Sequence, residues 1–435
     1  MAAAEHDGIP TRAEIEHQLS RMLASRRLKG APNRHMLLDY LVRKYLKDEE
    51  VSEEIIGDAL FPNYASDESD VVRITASQLR GSISMYYASE GLDDLVIISL
   101  PPGPKYRPAF SYNPHREYIA RYRIGIARLE EPNGDAGAEA AFCMAVEKRP
   151  QYAAAWAALA DANLRKQLSY RSITPSPRPL DFGPVEKNAL RAIELDDGHW
   201  YGHYMYGAVK LCQWHWEEAK RSFKRALQLN HEECHRRFWY AVFLLVTGET
   251  DKCVHNVQAA AREKPENFYA QIKAATFTYL AGESRKAKPF LGAAAGISWS
   301  MQLLVLVMAH IDLGELDQAE DLATSYEIAT IPYCFTGVVV YLRVKRGRLD
   351  SAGDLYYRMQ PRMVGRFKQY QQPEQMLIAH LAAGNAPDAI EALKQLANER
   401  HPLMLVVDTW ALLDPLRNIP EFQALIREMN LPDRT

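Results

Sequence analysis

A few residues recur along this chain at a nearly fixed interval, and they restrict its possible folds more than any other feature. Trp214/Ala219, Gly248/Cys253, Gly282/Ala287, Gly314/Ala319, Gly347/Ala352 and Gly384/Ala389 form pairs five positions apart. The second members follow one another at spacings of 34, 34, 32, 33 and 37 residues. In all but the first pair a glycine closes one apolar-periodic segment, and a small residue follows inside the next. Glycine permits a tight turn between two helices. The small residue then lets the helices approach closely. At 435 residues the chain is also too long for one compact core, so it reads as a stack of short two-helix units.

Other positions keep the same register. Ala226 and Ala260 lie seven residues after a packing residue, Pro150 and Pro265 lie twelve after Ala138 and Cys253, and Trp156 takes an aromatic position in a first helix. Counting backwards, EYIARYRIGIARLEEPNGDAGAEAAFCMAVEKRP (117–150) is one complete unit. These features resemble the tetratricopeptide repeat (TPR), a helix pair repeating about every 34 residues. The expectation is a TPR-like α-solenoid of about eight units over 117–400. The second unit carries an insertion, QLSYRSITPSPRPLDFG (167–183), expected as a loop. Residues 401–435 are expected to form a helical cap that shields the last apolar face. WHWEEAKRSFKRALQLN (214–230) and DPLRNIPEFQALIREMNL (414–431) are similar to segments of bacterial regulators that join a DNA-binding head to such repeats. Some of those relatives insert a cyclase or TolB-like domain. Only residues 111–116 separate head from repeats here, so the resemblance implies no enzyme.

The head, 11–110, does not follow the repeat. TRAEIEHQLSRMLAS (11–25), NRHMLLDYLVRKYLK (33–47) and VSEEIIGDALF (51–61) have helical periodicity, as does DVVRITASQLRGSISMYY (70–87). LVIISLPPGPKYRPAF (95–110) is β-rich around a Pro/Gly turn, as in a hairpin. At about 100° per residue, Val72, Ala76, Leu79, Ile83 and Tyr86 share one face of the last helix, while Arg73, Ser77, Arg80 and Ser84 share another. Helices followed by a hairpin suggest a winged helix-turn-helix. VVRITASQLR with KYRPAF resembles the effector domain of OmpR/PhoB-type response regulators, though Gln78 and Gly81-Ser82 depart from that pattern and no receiver domain is present. The resemblance implies that Thr75, Ser77 and Gln78 face bases, with Arg73 and Arg80 facing the backbone. Ser84 shares the arginine face, and Lys105 and Arg107 would reach from the wing. Against this stands the charge of residues 1–115, with 13 Lys and Arg against 17 Asp and Glu. Phosphate neutralisation supplies much of a DNA binder's affinity.

The rest of the sequence argues mainly by exclusion. Hydrophobic residues at 47%, charged residues at 25% and a net charge of −3 fit an ordinary globular chain with no general pull toward polyanions. LLVLVMA (303–309) is far short of the ~20 residues that a membrane span needs, and MAAAEHDGIP lacks a signal-peptide pattern. The five cysteines are odd in number and unpaired in spacing, which suits a reducing cytoplasm. HEECH (231–235) matches the zinc-protease motif, but its register puts it across an inter-repeat turn, so no metal is expected. No cofactor motif occurs. In TPR proteins the first helices line a concave groove. Carried over by register, that places Tyr201, Tyr204, His235, Phe238, Tyr269, Tyr279 and Tyr341 there, set to take a protein or peptide.

The sequence therefore predicts a mainly α protein, a winged helix-turn-helix head followed by a TPR solenoid. The expected function is that of a cytoplasmic, nucleoid-associated transcriptional regulator contacting double-stranded DNA and a protein partner, with a homodimer as one option. The alternative is a TPR adaptor whose head contacts protein instead of DNA.

Overall fold

The computed structural model describes residues 10–432 except 62–69, 92–93, 104–105, 115, 132–133, 174–179, 236, 297–300, 330–335, 360–362, 365–366 and 369–371. The chain divides into two compact units, Met1–Arg123 and Ile124–Thr435. It is mainly α, as expected.

The first unit begins with α1 (Arg12–Ala24), entered through a capping box in which Thr11 and Glu14 satisfy each other's backbone N–H groups. Ser25 ends it and caps a short α2 (Arg26–Lys29) that the periodicity did not reveal. Three further helices follow, α3 (Pro32–Leu46), α4 (Glu53–Leu60) and α5 (Val71–Tyr87). Strands β1 (Val96–Ser99) and β2 (Ala109–Tyr112) pair antiparallel, with Val96 opposite Tyr112 and Ser99 opposite Ala109. The apolar face of α5 packs as its periodicity required. Val72, Ala76, Leu79, Ile83 and Tyr86 are all buried against Leu37, Leu41, Ile56 and Ile98.

At the root of the hairpin the fully buried carboxylate of Asp94 accepts hydrogen bonds from Tyr86 (2.6 Å) and Gln18 and pairs with Arg21 (2.8 Å). Asn113 donates to the Asp94 carbonyl at 2.9 Å. A buried charge is tolerated only when so completely partnered. This one ties α1, α5 and the hairpin together.

The second unit is a run of helix pairs. α6 (Arg116–Leu129), within which the division falls, precedes α7 (Asp135–Lys148), and α8 (Ala153–Ile173) precedes α9 (Gly183–Leu195). α10 (Trp200–Cys212) pairs with α11 (Trp216–Leu229). After the single turn α12 (His231–His235), α13 (Phe238–Val246) pairs with α14 (Thr250–Glu263). α15 (Phe268–Leu280) meets the short α16 (Ser284–Ala287), which continues as 3-10 turns over Lys288–Gly296. α17 (Met301–Asp312) with α18 (Leu316–Ala329), α19 (Thr336–Lys345) with α20 (Leu349–Met359), and α21 (Pro373–Ala382) with α22 (Ala386–Asn398) complete the series.

The physical basis of the repeat is visible at its turns. Trp214, Gly248, Gly282, Gly314, Gly347 and Gly384 all have positive φ, between 64° and 84°. Ala219, Cys253, Ala287, Ala319, Ala352 and Ala389 are buried. Trp214 is the exception in kind, a bulky residue in the left-handed region. The Arg400 guanidinium lies 3.8 Å from the centre of its ring. Close approach also sets Gly337 in α19, where an added Cβ would stand 2.0 Å from the Gln375 carbonyl oxygen of α21.

Two local expectations are corrected. The insertion expected as a loop over 167–183 is helical through Ile173, so that α8 runs for 21 residues. HEECH does not break across a turn but forms the helical turn α12. Beyond α22, Pro402–Val406 and Ala411–Leu416 form 3-10 turns, and α23 (Pro420–Met429) follows. This segment packs on α22, and Pro402–Val406 also reaches α13. Trp216 Nε1 donates to the Met429 carbonyl at 3.1 Å. The end of the chain thus returns to the third and fourth helix pairs. Among the described residues no helix is long and apolar enough to cross a membrane.

Candidate functional site

Two surfaces carry the sequence-derived candidates, and each is treated within its own unit. On α5 the arginines are already committed. Arg73 Nε lies 3.1 Å from the Glu53 carboxylate and Nη1 lies 3.0 Å from Asp70. Arg80 Nε donates to the Leu100 carbonyl at 3.0 Å, and Nη2 to that of Pro101 at 3.4 Å. Arg80 therefore anchors the strand leading into the hairpin turn. Thr75, expected to face bases, is instead buried at 5% exposure. It lies only about 20° past Tyr86 on the helical wheel, so the buried arc simply extends to include it. Ser77, Gln78 and Ser84 are exposed. Arg107 is exposed and stacks over the Tyr45 ring at 5.1 Å, and Lys105 lies outside the described residues.

Between Ser77 and Gln78 the outermost line of α5 is Ile74 (54% exposed), Gly81 and Met85 (52%). The reading face is thus apolar and hydroxylic at its apex, with its cations on one flank. Nearby, Tyr106 donates to Glu53 at 3.0 Å, and burial followed by that carboxylate pushes its hydroxyl up to about 12.

In the repeats the aromatic residues expected to line the groove divide into two classes. Tyr201, Tyr204 and Tyr279 are buried and serve the interior. Tyr201 donates to Asp161 at 2.6 Å, the Trp239 backbone N–H donates to the Tyr204 hydroxyl at 2.9 Å, and Tyr279 donates to Asp312 at 2.8 Å. As contact residues these three are corrected to packing residues, because each phenol satisfies a polar group on a neighbouring repeat. Phe238, Tyr269 and Tyr341 remain partly exposed. Phe238 meets Phe277 edge-on at 5.0 Å, Tyr269 donates to the Glu131 carbonyl at 2.9 Å, and Lys345 lies over the Tyr341 ring at 5.3 Å. The side chain of His235 is outside the described residues.

Periodicity gave no sign of the charged cluster that joins four successive first helices, α8, α10, α13 and α15. Asp161, on α8 and nearly inaccessible, is gripped by Arg165 one turn later at 2.8 and 3.2 Å. Arg165 also donates to the Leu129 carbonyl at 3.1 Å. Burial opposes the charge of Asp161, but Arg165, Arg237 and the Tyr201 hydroxyl overcome it and hold the carboxyl below its usual range. Arg237, which leads into α13, stacks over Trp200 (5.3 Å) and Tyr201 (4.8 Å). Its Nη1 is 3.3 Å from the Tyr201 hydroxyl. Lys273 on α15 is lowered to about 8, first by burial and then by Arg237 and Arg165. The only legible hint was an i, i+4 Asp161/Arg165 pair on a first helix.

Farther along, Trp410 from the returning C-terminal segment is completely buried. Its indole N–H has no hydrogen-bond partner among the described residues, and it is one of the groups that act on the nearby Tyr279 hydroxyl. Among the described residues no group of His, Cys, Asp and Glu is arranged to hold a metal ion.

These features define a class, a helical-repeat protein built from two-helix TPR-like units. No protein-family model matches the chain, and no curated protein matches it. Solved structures to which the chain is similar include the human IFIT1 dimer with PPP-AAAA, 15% identical over 97% of this chain and 95% of that one, TM-score 0.46. A Rap protein complexed with competence and sporulation factor is 15% identical over 73% and 97%, TM-score 0.43. Yeast Tom70 is 13% identical over 96% and 89%, TM-score 0.37. The repeat architecture itself stands on the helix pairs, the left-handed turns and the buried small residues.

Proposed function

We propose that this chain is a non-catalytic adaptor whose repeats and head both contact protein. The observation that carries this reading is the state of α5. A DNA-reading helix needs cations and hydrogen-bonding side chains at its apex, whereas here the arginines are paired with carboxylates or carbonyls and the apex is Ile74, Gly81 and Met85. An exposed apolar line flanked by Ser77 and Gln78 suits a protein surface. In the repeats, Phe238, Tyr269 and Tyr341 with Arg237 offer aromatic and cationic contacts of the kind that anchor a bound segment.

The test pairs two measurements on the full chain. A photo-crosslinking residue is placed at Phe238 and, separately, on the outward face of α11 at Lys224. Crosslinks to a cellular protein are expected at Phe238 and not at Lys224. A gel shift with a random-sequence duplex pool at low salt should show no binding. A salt-sensitive duplex shift lost in Gln78→Ala would return the head to DNA reading and overturn this proposal.

A further inference from the structure

The head is acidic as a whole, but its charge is unevenly placed. Residues 17–38 hold five cations and no acid, whereas the rest of 1–115 has 8 Lys and Arg against 17 Asp and Glu. We infer that the outer face of α2, formed by Arg26, Arg27 and Lys29, docks a short acidic segment of a partner protein; this rests on the adaptor reading above and gives one partner its chemistry.

Three observations support it. The first is that these cations are free. Leu28 is completely buried, so at about 100° per residue its three neighbours fan across the opposite side of the turn. All three are exposed, and among the described residues their side chains have no hydrogen-bond or ion-pair partner. The other two cations of the stretch are engaged, Arg21 with Asp94 at 2.8 Å and Arg34 Nη1 with the Ser82 hydroxyl at 2.8 Å. Among the described residues one carboxylate bonds to the turn, Glu90, which accepts from the Arg26 backbone N–H at 2.9 Å. Three side-chain cations thus face one acid.

The second is rigidity. Ser25 donates to the Met22 carbonyl at 2.6 Å and accepts from the Leu28 N–H at 3.3 Å, and the Ala31 N–H donates to the Leu28 carbonyl at 3.0 Å. A display fixed in advance loses little entropy on binding. The third is placement against helix electrostatics. Helix starts favour acids, yet the first turns of α2 and α3 contain none and carry Arg26, Arg27 and Arg34. Local preference is overridden chiefly where function requires it.

The size of the patch selects among polyanions. The acidic stretch 48–54 begins beyond the far end of the 15-residue α3, about 20 Å away, more than two Debye lengths of ~8 Å at physiological salt. A few acidic residues cover the turn alone. A nucleic-acid strand or an anionic membrane extends past it and meets the surrounding acids.

The experiment titrates the full chain onto a rhodamine-labelled, capped (Glu-Glu-Ala)3 peptide at low salt, read by fluorescence anisotropy. Its Gln twin, a labelled oligothymidylate and phosphatidylserine vesicles are run beside it. The triple variant Arg26→Gln, Arg27→Gln, Lys29→Gln should weaken peptide binding roughly tenfold or more. The control removes the same charge from α11 through Lys220→Gln, Arg221→Gln and Lys224→Gln, exposed cations that follow directly on Glu217 and Glu218, and should leave binding unchanged. No binding of the Glu peptide, equal binding of the Gln twin, equal loss in both variants, or preference for oligothymidylate or vesicles would each overturn the assignment. If Phe238 crosslinks a protein partner while the Glu peptide does not bind, the adaptor reading stands and the α2 surface falls.

Discussion

Replacing two glycines by alanine separates the two reasons that glycine appears in this solenoid. Gly282 turns the chain between α15 and α16 at φ 84°, and an added Cβ would meet nothing within 4 Å. Gly282→Ala therefore meets only the left-handed backbone, about 1–2 kcal/mol, partly offset by a less disordered unfolded chain at about 0.4–1 kcal/mol. The net loss should be about 1 kcal/mol.

Gly337 is different. Its Cβ would sit 2.0 Å from the Gln375 carbonyl oxygen and 2.8 and 2.9 Å from the adjoining backbone carbons. Backbone cannot rotate away, so α19 and α21 must move apart, and the 3.1 Å bond from the Gly337 N–H to the Gln375 side chain goes with them. Overpacking of this kind costs about 3 kcal/mol or more. Hydrogen exchange of amides in α19 and α21, read with urea midpoints by circular dichroism, distinguishes the two. Protection in those helices should fall at least tenfold further in Gly337→Ala than in Gly282→Ala. Equal, mild effects would mean that the two helices are not in backbone contact, and the packing argument would fail.

Other perturbations test the charged and aromatic clusters. Asp161→Ala removes the partner of Arg165 and should cost about 3–5 kcal/mol, as for other buried pairs broken on one side. Because the Asp161 carboxyl is held below its usual range, its contribution is present above the unfolded value and lost as pH falls through the lower folded one. Thermal melts of wild type and Asp161→Asn should therefore converge below about pH 4 and differ by a constant amount between pH 6 and 8; a gap that widens in acid would contradict this. Trp410→Ala opens a cavity at a completely buried site, so a loss of about 3–5 kcal/mol and faster cleavage at Arg400 and Arg417 are expected, checked by denaturation and limited trypsin digestion. Arg80→Ala should loosen the hairpin, with a loss of about 1 kcal/mol in the melting of the head; an unchanged melt would mean that the carbonyl contacts contribute nothing.

Much of this protein is decided within a few residues of sequence, and that part was legible. A left-handed turn needs a glycine or a tolerated substitute at one position, and the next helix needs a small residue five positions on. Gly248/Cys253 or Gly314/Ala319 therefore announce their helix pair without any knowledge of the rest. The inward face of α5 was equally local, since Val72, Ala76, Leu79, Ile83 and Tyr86 follow from helical periodicity alone.

What a side chain does once its helix has neighbours was not local. Arg73 and Arg80 read as a contact face because, Asp70 apart, their partners Glu53 and the Leu100 carbonyl are twenty residues away. Tyr201 and Tyr279 looked like contact residues because Asp161 and Asp312, which absorb their hydroxyls, lie on other repeats. The return of Trp410 and Met429 to earlier repeats depends on where the stacked units carry the chain. Each repeat is specified by spacing, but burial and pairing between repeats are set by superhelical geometry, and a single sequence does not encode that in any one stretch.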